Sequence, residues 1–194
     1  MRVVMPFTPA GLDERAWAAL LEQAPHAERV DVSGSPVAYW ELLRSLWLDG
    51  ATFTLVEHDV VLPPNGLAEL EACRWPWCSI PPGNRFPALG HLDRPLLPFV
   101  IAGALAAMLQ CNRWRSDMLR ATAHVWNDFP VSRRYWVGLD IELLWARLAA
   151  WAPHVHNTTA TTHRPDFTAA QFRARDDRLA LEVAAWRQKH GEAA

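Results

Sequence analysis

The chain has 194 residues, 51% of them hydrophobic and 21% charged, with 21 acidic against 19 basic side chains and a formal net charge of −2. That length fits one domain and buries about two-thirds of the unfolded chain's surface, which excludes a miniature scaffold that depends on disulfides. The charge excludes a protein held to nucleic acid by its overall field, and the longest apolar run, Leu96 to Leu109, is interrupted by Pro98 and Gly103 and falls short of the ~20 residues of a bilayer span.

Arg2 to Met5 is a β-branched run ended by Pro6, and Gly11 to Ala24 sets Leu12, Ala16, Ala19, Leu20 and Ala24 at helical spacing. A strand followed by a helix is predicted. Glu28 to Val32 reads as a second strand. It leads into Ser33-Gly34-Ser35-Pro36, where Ser35 caps and Pro36 opens a helix that runs to Leu48 and stops at Asp49-Gly50. Thr52 to Val56 is the most strand-like segment, and it ends abruptly in Glu57-His58-Asp59 before the apolar Val60-Val61-Leu62. This β-α-β-α-β series predicts an α/β fold with a mostly parallel sheet flanked by helices.

Asn65 to Cys73 then predicts a helix, Trp77 to Ile80 a strand, Pro81 to Pro98 a long loop, and residues 100–127 mostly helix. Gly138 to Trp151 carries a helical pattern that starts at or just before Asp140. His154 to Asn157 is short and extended, Thr158 to Pro165 is loop, and Asp166 to Lys189 is an amphipathic helix, so the carboxyl-terminal part is expected to be helical. Pro6 and Pro9 precede any apolar block, so no signal peptide is expected and the expected location is the cytoplasm. Reduced thiols follow for Cys73, Cys78 and Cys111.

Eleven tryptophans, and eighteen arginines beside the single Lys189, stand out. GC-rich coding accounts for an arginine bias without any function. Trp75, Trp77, Trp126 and Trp136 lie beside predicted loops, where flat amphipathic rings suit sugars or bases.

Ligands of parallel α/β sheets bind beyond the carboxyl ends of the strands, which is where Glu57 and Asp59 fall. Two carboxylates there can hold a hard divalent cation together with the oxygens of a diphosphate; the plainer reading is a strand that simply meets water. With these residues the amino-terminal half resembles the GT-A family of nucleotide-sugar-dependent glycosyltransferases, whose Rossmann-type half ends in an Asp-x-Asp motif. Here the motif is Glu57-His58-Asp59, with Glu in the first position. The resemblance implies that Asp59 binds Mn²⁺ or Mg²⁺ on a UDP-linked sugar and that Glu57 faces the ribose or the metal. It also matches Pro6, Phe7 and Thr8 to the loop that meets the nucleotide, and Asp31 to the acid that bonds a uracil edge.

Trp136-Val137-Gly138-Leu139-Asp140-Ile141-Glu142-Leu143 is similar to the acceptor-side stretch of inverting members of the family. Asp140 is there the general base that deprotonates the acceptor hydroxyl; its plainer role is a helix cap. His154-Val155-His156 matches the histidine that completes the metal shell in many such enzymes, and alternation on an extended segment puts both imidazoles on one side. The resemblance covers roughly residues 2–165, with a nucleotide-binding half over about 1–62, an acceptor side over about 63–165, and 166–194 as a helix packed on that domain. Short chains of this kind resemble enzymes of phages of GC-rich bacteria, which act in the host cytoplasm on hydroxymethylated DNA bases or virion proteins. A DNA acceptor needs a basic, stacking surface, for which Arg113, Arg115, Arg120, Arg133 and Arg134 with Trp114, Trp126 and Trp136 are the candidates. A protein or glycan acceptor is the other expectation.

Two alternatives come from the same residues. His154-Val155-His156 also fits a metal-dependent single-strand nuclease with Tyr39 or Tyr135 as nucleophile, which expects an antiparallel sheet. A non-catalytic glycan- or protein-binding α/β module uses the tryptophans alone. A structural zinc site from Cys73, Cys78, Cys111 and a histidine is disfavoured, because four residues separate Cys73 from Cys78 and no second close pair follows.

Overall fold

A computed structural model of the chain describes residues 1–80, 110–128, 154–156, 159, 161–163 and 171. Strand β1 (Arg2–Phe7) is followed by α1 (Glu14–Gln23), β2 (Glu28–Asp31), α2 (Ala38–Asp49) and β3 (Phe53–Val56). The Asp13 side chain accepts the Arg15 N–H and so caps α1, and its ion pair with the Arg15 guanidinium holds its carboxyl below the usual range. Helix α2 ends on Gly50, whose φ of 69° is the left-handed cap that the Asp49-Gly50 pair predicts. Ser35 Oγ accepts the Val37 N–H just ahead of that helix.

Next come β4 (Val60–Val61), α3 (Gly66–Ala72), β5 (Trp77–Ser79), β6 (Cys111–Trp114), α4 (Ser116–Thr122), α5 (Val125–Asp128), β7 (His154–Val155) and β8 (Thr162–His163). Six strands form one sheet in the order β2-β1-β3-β6-β5-β7, and β4 pairs with β8 apart from it. Strands β2, β1 and β3 are mutually parallel, as the β-α-β-α-β series predicts. Strand β6 runs antiparallel to both β3 and β5, and β7 is parallel to β5. The fold is therefore mixed α/β, and no helix among the described residues is long and apolar enough to cross a membrane.

Each face of the sheet carries its own core. Val3, Met5, Val56, Cys78 and Cys111 face Ala16 and Leu20 of α1 and Leu67 and Leu70 of α3. Val4, Phe53, Leu55, Trp77 and Trp114 face Trp40, Leu43 and Trp47 of α2, Met118 and Leu119 of α4, and Trp126 of α5. Alternation along each strand divides them in this way.

Three expectations are corrected. Residues 110–114 are not helix: Cys-Asn-Arg-Trp forms the strand next to β3, with Asn112 bonded to Trp77 and the Arg113 guanidinium to backbone carbonyls, and β8 lies in a predicted loop. Cys73 and Cys78 are not separate reduced thiols but joined by a disulfide, whereas Cys111 is free and burial pushes its thiol up to about 12. The predicted 81–98 loop and the 138–151 helix lie outside the described residues.

Candidate functional site

Because β1, β2 and β3 are parallel, their carboxyl ends share one edge. Phe7 pairs with Asp31, and Val4 with Leu55, so the row of Phe7 and Asp31 meets β3's extension at His58. The chain turns there: the Val60 N–H donates to the Glu57 carbonyl and the Glu57 N–H to the Gln110 carbonyl. Glu57, His58 and Asp59 are all buried, at 8%, 6% and 8% exposure, so this is more than a strand end wetted by solvent.

Local contacts fix the turn. The Thr8 N–H donates to His58 Nδ1 at 3.3 Å and the Asp13 N–H to the His58 carbonyl at 3.0 Å, which ties the turn to the loop after β1. Accepting at Nδ1 places the proton of a neutral His58 ring on Nε2. The Tyr39 hydroxyl, brought by α2, donates to Glu57 Oε1 at 3.3 Å. Gly11 packs on the His58 ring so closely that a Cβ there would lie 2.6 Å from Nε2. Pro6 is buried beneath the edge and Phe7 is half-buried, with the Arg29 guanidinium 5.5 Å from its ring centre. Asp31 is exposed, and its Oδ1 accepts the Ser33 N–H at 2.8 Å, which lowers its pKa.

The histidines of the 154–156 segment stand elsewhere. Across the order β3-β6-β5-β7, three strand spacings of about 4.8 Å put β7 roughly 14 Å from β3. One ion cannot reach both Glu57-Asp59 and His154-His156. The two imidazoles instead join Cys73 and Cys78, and one donor atom from each of these four residues lies within 4.8 Å of all the others. Cys73 Sγ is 3.3 Å from His154 Nδ1, and the Trp75 indole stacks on the His154 ring with 5.7 Å between centroids. His156 Nδ1 faces Glu69 Oε2 at 3.6 Å, while its Nε2 is buried and has no hydrogen-bond partner among the described residues. Burial holds both histidines below the usual imidazole range, and for His156 the neighbouring His154 adds to the effect.

The acceptor-side candidates divide. Trp126 is a core residue, 4% exposed, with its ring 5.7 Å from both Trp40 and Trp47, so it offers no free face to an acceptor. Arg113 is buried too, its guanidinium donating to the carbonyls of Glu71, Cys73 and Trp75. Arg133, Arg134, Trp136 and Asp140 lie outside the described residues. Sequence reasoning missed Gly11 and Glu69 and gave Tyr39 and Arg113 other roles. Cys-x4-Cys and His-x-His were the visible signals of the second cluster, but only the β5–β7 pairing joins them. No protein-family model, curated protein or solved structure matches the chain.

Proposed function

We propose that the chain is a metal-dependent glycosyltransferase of the GT-A kind, moving a sugar from a UDP-linked donor to an acceptor hydroxyl. The observation that carries this reading is the buried acid turn Glu57-His58-Asp59, at the carboxyl edge of the parallel strands and bonded to the loop after β1. In such sheets this edge is where a nucleotide and its phosphates bind.

Two buried carboxylates from one turn are a hard oxygen set that fits Mn²⁺ or Mg²⁺. Bound there with a diphosphate, the ion supplies charge neutralisation for the leaving group. Asp59 is the ligand and Glu57, anchored by Tyr39, serves the ribose or the ion. The donor shell is completed without His154 and His156, which are a further three strands along the sheet. Asp31, exposed at the same edge and held by Ser33, is the acid that would accept an N–H of the uracil edge. His58 is the buried spacer that holds the Thr8 loop against the acid turn. Asp140 as the general base rests on the sequence resemblance alone, and it would remove the acceptor proton as the oxygen attacks.

A hydroxymethylated pyrimidine in DNA is the first acceptor to test, with protein and glycan acceptors beside it. Arg120 is exposed and Arg115 half-buried in the 113–120 stretch. The deciding experiment titrates the protein with a panel of nucleotide sugars with and without Mn²⁺, then assays transfer to hydroxymethylcytosine DNA, unmodified DNA and glycans. Mn²⁺-dependent binding of a UDP-sugar is expected, and Asp59→Asn should weaken it at least tenfold with the circular dichroism unchanged. Equal donor binding by Asp59→Asn would sink the metal assignment. Glycan binding with no donor turnover would favour a binding module.

A further inference from the structure

We propose that Cys73, Cys78, His154 and His156 form a structural Zn²⁺ site, filled when the two thiols are reduced, that clips β7 to the corner between α3 and β5. The site is independent of the donor site at Glu57-Asp59.

The backbone brings the four donors together in two pairs. Cys73 caps the carboxyl end of α3 and Cys78 lies in β5, with Arg74-Trp75-Pro76-Trp77 between them; this gap, which counts against a zinc site on sequence alone, is the upper end of the usual two to four residues, and the second close pair is His154 and His156 rather than cysteines. His154 and His156 alternate along β7, and the pairing of Cys78 with His154 sets both imidazoles on the face that carries the cysteines. Zinc bonds of about 2.0–2.3 Å to nitrogen and sulfur imply donor separations of about 3.3–3.8 Å in a tetrahedron. The 3.3 Å between Cys73 Sγ and His154 Nδ1 meets that, and the 4.8 Å span of the whole set needs only small side-chain adjustments.

A disulfide alone leaves much of this arrangement without a purpose. It joins residues five apart, so it constrains little of the unfolded chain, and it uses neither histidine. Among the described residues His156 Nε2 is buried without a partner, which is costly for a polar nitrogen. The surroundings match those of a metal ligand set. Glu69 faces the other ring nitrogen of His156 and is itself held by the Thr159 hydroxyl, an arrangement that orients a ligating imidazole. Arg113 bonds the Cys73 and Trp75 carbonyls and approaches Cys78 Sγ at 3.7 Å, which fixes the knuckle and favours thiolate. Zn²⁺ with two thiolates is neutral, and the Arg113 and Glu69 charges balance. An open hollow of about 350 Å³, lined by Glu69, Cys73, Trp75 and the two histidines, gives an ion a way in.

Opening the disulfide takes two electrons and two protons. A phosphine supplies the electrons and becomes its oxide with oxygen from water, whose two protons go to the sulfurs. Zn²⁺ then displaces both thiol protons.

The test uses the full chain, reduced with a phosphine, stripped of metal and titrated with Co²⁺. One equivalent should give the visible bands of tetrahedral cobalt and a thiolate-to-metal charge-transfer band, and one equivalent of Zn²⁺ should bleach both. The oxidised chain should give neither. Glu69→Gln, which removes no ligand, should weaken Zn²⁺ binding about 10- to 100-fold, while Cys78→Ser should lose most of the charge-transfer band. Asp59→Asn should leave all of this unchanged, which separates failure of this site from failure of the donor site. Absence of tetrahedral cobalt in the reduced wild type, or a spectrum of oxygen ligands only, would overturn the proposal whatever the variants do.

Discussion

Gly11 shows how far the site depends on one hydrogen atom. A methyl group there would stand 2.6 Å from His58 Nε2 and 2.9 Å from Thr8 Oγ1, inside any real contact distance. The His58 ring has little room to retreat, because its Nδ1 is bonded to the Thr8 N–H and it is 6% exposed. Gly11→Ala should therefore overpack the turn and destabilise the fold by about 1–3 kcal/mol, and it should weaken donor binding by moving Glu57 and Asp59. Thermal melting and a UDP-sugar titration check the two effects. An unshifted melting temperature would show that the turn yields freely and that His58 is no rigid spacer. At this scale the sequence revealed the acids, because three polar residues between two apolar runs must sit near the core. It hid Gly11, Tyr39 and Glu69, whose roles exist only through contacts with residues distant along the chain.

At the scale of elements, most of the first eighty residues were legible from local punctuation, although α2 begins at Ala38, after the Pro36 expected to open it, and without a side-chain cap. Asp13 caps α1, Gly50 ends α2, and the Phe-Thr-Leu-Val run of β3 is buried at every position. Strand β6 was not legible. Asn112 and Arg113 read as surface letters, yet Asn112 Oδ1 accepts the Trp77 indole N–H and Arg113 reaches three backbone carbonyls, so tertiary partners override local propensity. Packing between α2 and α5, rather than a ligand, accounts for the burial of Trp40, Trp47 and Trp126. The Trp47 indole N–H donates to Thr122 Oγ1, and Trp40, Trp47 and Trp126 pack edge to face or tilted at 5.7 Å between α2 and α5. Trp126→Ala should then cost about 3–5 kcal/mol of stability, read as a lower urea midpoint, without a change in acceptor KM at temperatures where it stays folded. Native stability with weakened acceptor binding would return Trp126 to the acceptor side.

The described residues are organised by one sheet that joins strands from residues 1–62 to strands from residues 63–165. Strand β3, from the first sixty residues, pairs with β6 along four residues, Phe53 with Trp114 through Val56 with Cys111, and the rings of Phe53 and Trp114 lie 5.0 Å apart. Leu55, completely buried, belongs to the same core as Trp77, Trp114 and Trp126, which come from the later segment. Neither half closes its own core, so breaking one exposes the other, the condition for all-or-none unfolding. Far-ultraviolet circular dichroism, tryptophan fluorescence and near-ultraviolet circular dichroism should therefore trace one urea transition with a common midpoint. Leu55→Ala should move that single transition to lower urea, by an amount that corresponds to about 2–5 kcal/mol, in all three signals together. Two transitions, with only the first displaced by Leu55→Ala, would mean that the pairing of β3 with β6 does not couple the halves. The acid turn would then rest on a unit that can open without the rest of the sheet.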